Sequence, residues 1–182
     1  NLLPLATFAM EAYGNDPCKY FKPKIGDNPN LSSKEEQLIS KMHKAITIIQ
    51  FKLESEIINS RPEFDMEKRN LLHKIDFTRG TVELDGVDYP LKDTYFPTID
   101  PVSPYKLTAE EQDVVKKLVA SFKGNEKLRK HINCLYSKGS LYLVRNGNLL
   151  YHGSMLMNED GSFKKVKIQG EEYAGKALFD KI

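Results

Sequence analysis

A mixed α/β (α+β) chain is the fold class this sequence predicts, on three observations. Residues 33–61 carry apolar side chains at spacings of three and four, the mark of an amphipathic helix. Three short strand pairs are punctuated by the turn dipeptides Asp85-Gly86, Asn146-Gly147 and Gln169-Gly170. On either side of the second of these turns, Ser140–Val144 and Asn148–Tyr151 are strands with little polar alternation, as expected for strands covered on both faces.

Taken in order, residues 1–13 read as a helical or buried segment with Leu2, Leu3, Leu5, Phe8 and Met10. Residues 14–31 read as a loop, marked by Gly14, Asp16-Pro17, Pro23, Gly26-Asp27 and Pro29. Ser33 with Glu36 three residues on forms a capping box that opens the long helix. Leu38, Met42, Ile46, Ile49, Leu53 and Ile57 form its apolar stripe, with Ile39 and Ala45 beside them. Pro62 ends it, because the residue before a proline is pushed out of the α region. At about 1.5 Å rise per residue the helix spans roughly 40 Å.

A second, short helix is expected over 65–75, with Leu71, Leu72 and Ile75 inward, and then the hairpin 81–84/87–89. Residues 90–106 hold Pro90, Pro97, Pro101 and Pro104 and read as loop. Thr108 with Glu111 is another capping box, and the helix after it buries Val114, Val115, Leu118, Val119 and Phe122. Gly124 breaks this helix, and a further one over 126–137 turns Leu128, Ile132 and Leu135 inward. The last hairpin pairs 163–168 with 171–173.

Composition excludes several classes of function. The chain has 182 residues, 40% hydrophobic and 29% charged, with a net charge of +2. Bases and acids are interleaved, so there is no clustered basic face for nucleic acid. No apolar run approaches the ~20 residues of a membrane span, and no charged n-region precedes an apolar h-region. Cys18 and Cys134 lie too far apart for a CxxC motif. Their spacing leaves a disulfide open, but a chain of this length does not need one, and both read as reduced thiols of a cytosolic protein. The chain opens on Asn1 directly before the apolar run Leu2–Leu5 and closes on Phe179-Asp180-Lys181-Ile182. These ends read as cuts through structured regions, and a piece of a longer chain is expected.

Four histidines are available for chemistry, His43, His73, His131 and His152. The first three read as surface residues of helices, and no two stand at i, i+4 to form a helical metal site. His152 follows an apolar strand and precedes Gly153. Strand ends of this kind carry functional groups in α/β proteins, and a neutral imidazole there suits either a metal ion or a buried hydrogen bond. No glycine-rich phosphate loop and no GxSxG elbow occurs, so no catalytic residue is assigned within the chain. Asn158-Glu159-Asp160-Gly161 lacks the alternating oxygens of an EF-hand loop and reads as a turn.

The stretch SKGSLYLVRNGNLLYHGSMLMNEDGSF (137–163) resembles the class III fructose-1,6-bisphosphatases of Firmicutes and some other bacteria. SRPEFDMEKRNLLHKID (60–76), YPLKDTYFPTIDPVSPYKLTAEEQ (89–112) and NLLPLATFAMEAYGNDPCKYFKPK (1–24) resemble the same family, so the likeness covers essentially the whole chain. It implies a calcineurin-like metallophosphoesterase, an αββα sandwich holding two divalent ions, with manganese expected. Family members carry D-x-H, G-D-x-x-D-R and G-N-H-[DE] loops upstream of the NLLPLATFAM-like segment, and a G-H motif downstream; this sequence has none of these. The motif that carries over is Tyr151-His152-Gly153, which implies a metal-ligand role for His152. Where many relatives continue Cys-Ile-Pro, this chain has Ser154-Met155-Leu156.

The resemblance divides the chain into 1–31, the end of the metal-loop half of the core; 32–138, a largely helical insertion with one hairpin; and 139–182, core strands with the His-Gly motif and a following hairpin. It implies hydrolysis of fructose 1,6-bisphosphate to fructose 6-phosphate and phosphate, in gluconeogenesis in the cytoplasm. The expected partners are the remaining segments of the same polypeptide and a sugar bisphosphate, with no nucleic acid and no membrane, and with room for a homo-oligomer. Arg145, Lys138 and Lys165 are basic and near His152 in sequence, but read as surface charges, so no substrate-binding residue is assigned. The competing reading is a non-catalytic helical interaction or regulatory module.

Overall fold

Local signals set most of the elements. The computed structural model describes residues 2–24 and 31–182. Asn1 and the loop signals Gly26-Asp27 and Pro29 lie outside the described residues. The chain forms two compact units, 1–124 and 125–182.

In the first unit, α1 (Leu3–Tyr13) starts with Pro4 in its first turn, where a missing N–H costs nothing. It packs on α2 (Ser33–Ser60) and α3 (Ala109–Lys123). Leu5, Phe8, Ala9 and Tyr13 of α1 join Cys18, Ala45, Ile49 and Val114 in one apolar core. The capping box of α2 is Ser32 with Glu35, one residue earlier than the sequence suggested. The Ser32 Oγ accepts from the Glu35 N–H at 3.3 Å, and the Glu35 carboxylate accepts from the Ser32 N–H at 2.9 Å. The helix ends at Ser60, two residues before Pro62.

The buried face of α2 also departs from the apolar stripe. Ile57 is 62% exposed, whereas Lys41, Lys44, Ala45, Ile48, Ile49, Lys52 and Ser55 are buried. Lysines go inside because each meets fixed oxygen partners from other segments, which offsets the loss of water. Lys41 Nζ donates to the carbonyls of Tyr13 (2.9 Å), Gly14 (3.0 Å) and Asp16 (2.5 Å), closing the C-terminus of α1.

No α-helix forms over 65–75. The backbone instead makes short 3-10 turns at Pro62–Phe64, Glu67–Arg69 and Leu72–Lys74, broken by Asp65 in the left-handed region at φ 52°. Apolar residues at 71, 72 and 75 fit either geometry, and Leu72 alone of them is buried, against Ile48 and Ile99. Next come β1 (Ile75–Asp76), β2 (Thr81–Leu84) and β3 (Val87–Pro90), an antiparallel sheet in that order. The β2–β3 turn has φ 49° at Asp85 and 80° at Gly86, as a two-residue hairpin turn requires.

Residues 91–107 then cross the unit as a strap without helix or strand. The α3 cap is the predicted Thr108–Glu111 box. Of the five apolar residues expected inward on α3, Val114 is buried, while Val119 and Phe122 are 45% and 62% exposed. With Ile46, Leu53, Val115 and Leu118 they line an open, almost wholly apolar groove of about 410 Å³ between α2 and α3.

The second unit begins with α4 (Glu126–Lys138), in which no residue is buried. Leu128, Ile132 and Leu135 share a helix face, but none of the three is buried, and Leu135 is 69% exposed. The strands β4 (Tyr142–Arg145) and β5 (Asn148–Tyr151) pair about Asn146 and Gly147, and β6 (Val166–Ile168) and β7 (Glu171–Tyr173) pair about Gln169 and Gly170. All four turn residues have positive φ. Asn158–Gly161 is the predicted turn, closed by Gly161 N–H to Asn158 O at 3.0 Å. The last element, α5, spans Gly175–Lys181. The β4–β5 pair was expected to be buried on both faces, yet Leu143, Val144, Leu149 and Leu150 are all more than half exposed. A two-stranded ribbon buries little by itself, and in this unit only Gly175 and Leu178 are buried.

Candidate functional site

His152 stands where β5 ends. Its N–H donates to Leu141 O at 3.2 Å, one step beyond the Tyr142–Tyr151 pair, so the antiparallel ladder continues to the Leu141–His152 position. Gly153 follows at φ 83°, a left-handed value that turns the chain away at once. The imidazole is exposed and makes no hydrogen bond among the described residues.

Register assigns faces to this hairpin. Cross-strand partners share a face and neighbours along a strand alternate. Tyr142, Val144, Leu149 and Tyr151 therefore share one face; Leu141, Leu143, Leu150 and His152 share the other, with Arg145 at its far end. Helix α5 serves the first face. Phe179 stacks on Tyr142 with ring centroids 6.3 Å apart and stands 6.5 Å from Tyr151. Tyr142 donates its hydroxyl proton to Asp180 at 2.9 Å, and Lys176 Nζ donates to the same carboxylate at 2.5 Å. Lys176 foremost, with Tyr142, holds the Asp180 carboxyl below its ordinary value.

The basic residues near His152 in sequence do not gather around it. Arg145 is four strand positions from Leu141, roughly 13 Å at about 3.3 Å per residue. Lys165 pairs with Glu172 at 3.1 Å, and Lys138 is the last residue of α4. Among the described residues no group of three or more His, Cys, Asp or Glu side chains is placed to hold a metal ion. His152 alone does not fit two ions. The other histidines behave as surface groups: His43 Nδ1 donates to Phe21 O at 3.0 Å, His73 shares a 2.7 Å bond with the Tyr105 hydroxyl, and His131 is exposed.

A second cluster was not legible in the sequence. Lys44, with no exposed surface, binds Asp16 at 2.5 Å and Asp93 at 2.8 Å. Its ammonium lies 5.0–5.8 Å from the ring centres of Tyr13, Phe21, Tyr95 and Phe96. Two turns along α2, Lys52 donates to Glu111 at 2.7 Å and to Thr98 O at 2.6 Å, and this pair too is fully buried. Tyr13 completes the set through a 3.2 Å bond to the Thr98 hydroxyl. Burial raises the Asp16 carboxyl, but Lys44 and the Cys18 N–H outweigh it and hold the group below its ordinary value. Burial foremost pushes Tyr13 up to about 12 and Cys18 up to about 11. These charges are consumed by one another and by the strap, so the cluster reads as a structural clasp rather than a reaction centre. Both cysteines are free thiols, Cys18 buried and Cys134 exposed. No described helix is long and apolar enough to cross a membrane.

Comparison with known proteins gives one consistent result. Residues 1–182 match the family model described as Firmicute fructose-1,6-bisphosphatase. A relative from Clostridioides difficile (strain 630), named fructose-1,6-bisphosphatase class 3, is 59% identical over 182 residues, covering 100% of this chain and 27% of the relative. Relatives of the same name from Parabacteroides distasonis and Listeria innocua are each 56% identical, covering 100% of this chain and 28% of theirs. The chain thus spans little more than a quarter of the length of these relatives. No solved structure matches it.

Proposed function

Because the chain belongs to the Firmicute fructose-1,6-bisphosphatase family, we propose that it is part of a longer phosphatase that hydrolyses fructose 1,6-bisphosphate to fructose 6-phosphate and phosphate. The observation that carries this reading is the match over all 182 residues, with relatives of that name at 56–59% identity. A role in gluconeogenesis, cytoplasmic residence and the calcineurin-like αββα layout belong to the same proposal. So does metal dependence, with manganese as the expected ion. Paired divalent ions lower the pKa of a bound water and offset phosphoryl charge.

This chain's contribution on that reading is His152. Its imidazole is exposed, without a competing hydrogen bond, at a strand end fixed by the ladder bond to Leu141. Several carboxylates and imidazoles are needed besides it, and they are supplied from outside residues 1–182. The test is the full-length polypeptide purified with manganese, and the same protein carrying His152→Ala. The wild type releases phosphate from fructose 1,6-bisphosphate. The variant loses bound metal and more than about 100-fold in kcat/KM, exceeding the 10–100-fold typical of residues that only orient a ligand. Full metal content and full turnover in the variant would remove His152 from the metal centre.

A helical interaction module is favoured by a single observation, the apolar groove between α2 and α3. It leaves the second unit, with its nearly absent core, without explanation.

A further inference from the structure

Three hairpins of this chain turn on two residues, the second of which is glycine: Asp85-Gly86 between β2 and β3, Asn146-Gly147 between β4 and β5, and Gln169-Gly170 between β6 and β7. Their φ values nearly coincide, at 49° and 80°, 52° and 75°, and 52° and 91°. All six residues are exposed. One backbone conformation is thus built with three different first residues, and these differ in their chemistry. The side chain of each carries a carbonyl carbon that the following main-chain nitrogen can attack. At Asn146 the attack closes a five-membered ring and expels ammonia. At Gln169 the ring is larger by one methylene and closes far more slowly. At Asp85 the ionised carboxylate repels the nucleophile and has no ammonia to lose.

We infer that Asn146 is a site of spontaneous deamidation, and that one of its two products opens the β4–β5 turn. The Gly147 nitrogen gives its proton to hydroxide and bonds to the Asn146 side-chain carbonyl carbon. The bond from that carbon to the amide nitrogen breaks, and ammonia leaves with a proton from water. The cyclic imide then takes up water at either carbonyl and opens to aspartate or to isoaspartate. Water is consumed, ammonia is released, and nothing is oxidised or reduced. Asn146 is the only asparagine of the sequence followed by glycine. Beyond its chain neighbours nothing lies within 4 Å of where a Gly147 side chain would stand, so the nitrogen is open to approach. Neither the Asn146 side-chain amide nor the Gly147 N–H has a hydrogen-bond partner among the described residues. The side chains of Asn59, Asn70, Asn125 and Asn158, by contrast, are all engaged. A turn stays at the surface even where the strands it joins are covered. Asp85 shows that aspartate fits this turn. Isoaspartate adds a carbon to the main chain, which a two-residue turn does not hold in register. The inference stands whatever reaction the longer protein performs.

The test incubates the full-length polypeptide at alkaline pH, in native buffer and in urea, and reads its peptides by mass spectrometry. The peptide carrying residue 146 is expected to gain the mass that separates an acid from an amide, while the Gln169 peptide stays unchanged. Conversion in the native protein should be slower than in urea by no more than about a hundredfold, which is what opening the two hydrogen bonds of one flanking pair costs. Its rate should rise about tenfold per pH unit, as a step through a deprotonated nitrogen requires. Asn146→Gln keeps the turn, as Gln169 does in the third hairpin, and is expected to abolish the mass gain. A gain that persists in this variant assigns the reaction to Asn148 and overturns the inference. An Asn146 that stays an amide in the native protein while urea converts it overturns it too, because the fold then guards the turn. A rate indifferent to pH does the same. Chromatography separates the two products, and amide exchange at Arg145 and Asn148 reads the turn. The aspartyl form should match the unmodified protein and the isoaspartyl form should exchange at least about tenfold faster; equal exchange in both forms would overturn the opening of the turn.

Discussion

Lys52 and Glu111 are a pair of opposite charges with no exposed surface, joined at 2.7 Å. Removing one partner strands the other in a medium that solvates it poorly. Lys52→Met and Glu111→Gln are each expected to destabilise the full-length protein by about 3–5 kcal/mol, and the double variant by clearly less than their sum. Glutamine still accepts from the Thr108 N–H, so the α3 cap survives, and urea midpoints of the four proteins give the coupling directly. Additive losses would show that the two charges are not paired. Around Lys44 the prediction concerns pH. Tyr13 is raised from 10.0 to about 12 and Cys18 from 9.0 to about 11, so each contributes stability that is full below its unfolded value and lost as pH rises through the folded one. Asp16 is depressed, so its contribution is present above about pH 4 and lost as pH falls through the lowered value. Urea midpoints should therefore decline between about pH 9 and 12, with Tyr13→Phe flattening the upper part of that decline; a midpoint unchanged up to pH 11 contradicts the assignment. None of these pairings was legible in advance. A lysine on a helix reads as its wet side, and the partners Asp16, Asp93 and Glu111 are 28, 49 and 59 positions away.

At the scale of elements, what could be read was what is decided locally. Asp85-Gly86, Asn146-Gly147 and Gln169-Gly170 mark turns because each position adopts a positive φ, and all three hairpins are where those dipeptides put them. The α2 cap was misplaced by one residue because the pattern is degenerate: Ser32 precedes Glu35 as Ser33 precedes Glu36, and only backbone geometry chooses between them. The choice can be measured. Ser32→Ala is expected to lower stability by about 1 kcal/mol and speed amide exchange in the first turn of α2, while Ser33→Ala changes either little. Equal effects would put the cap elsewhere. The expected helix over 65–75 failed for a related reason. Three apolar residues are too few to distinguish an α-helix from successive 3-10 turns, and an aspartate such as Asp65 tolerates the helical and the left-handed region alike.

At the scale of the molecule, the two units divide the labour unequally. The first has an apolar core and two buried ion-pair clusters; the second has hairpins and helices whose apolar faces are largely open. The mixed α/β class was therefore legible, and so was the order of the strand pairs. Burial of β4, β5 and α4 was not, since the sequence shows which faces are apolar without showing which chain covers them. His152 was legible as the end of a strand, and register adds the face on which it stands. The strap over 91–107 carries a final consequence. It has no regular structure of its own and takes its course from Lys44 and Lys52, which hold Asp93 and Thr98. The helix between those lysines thus acts as a gauge. Each residue added there rotates everything downstream by about 100°, so a single insertion would swing one lysine off its mark, while three or four together would nearly restore its direction. Natural length variants of this protein should accordingly be scarce between positions 44 and 52, however freely the exposed residues of α2 change.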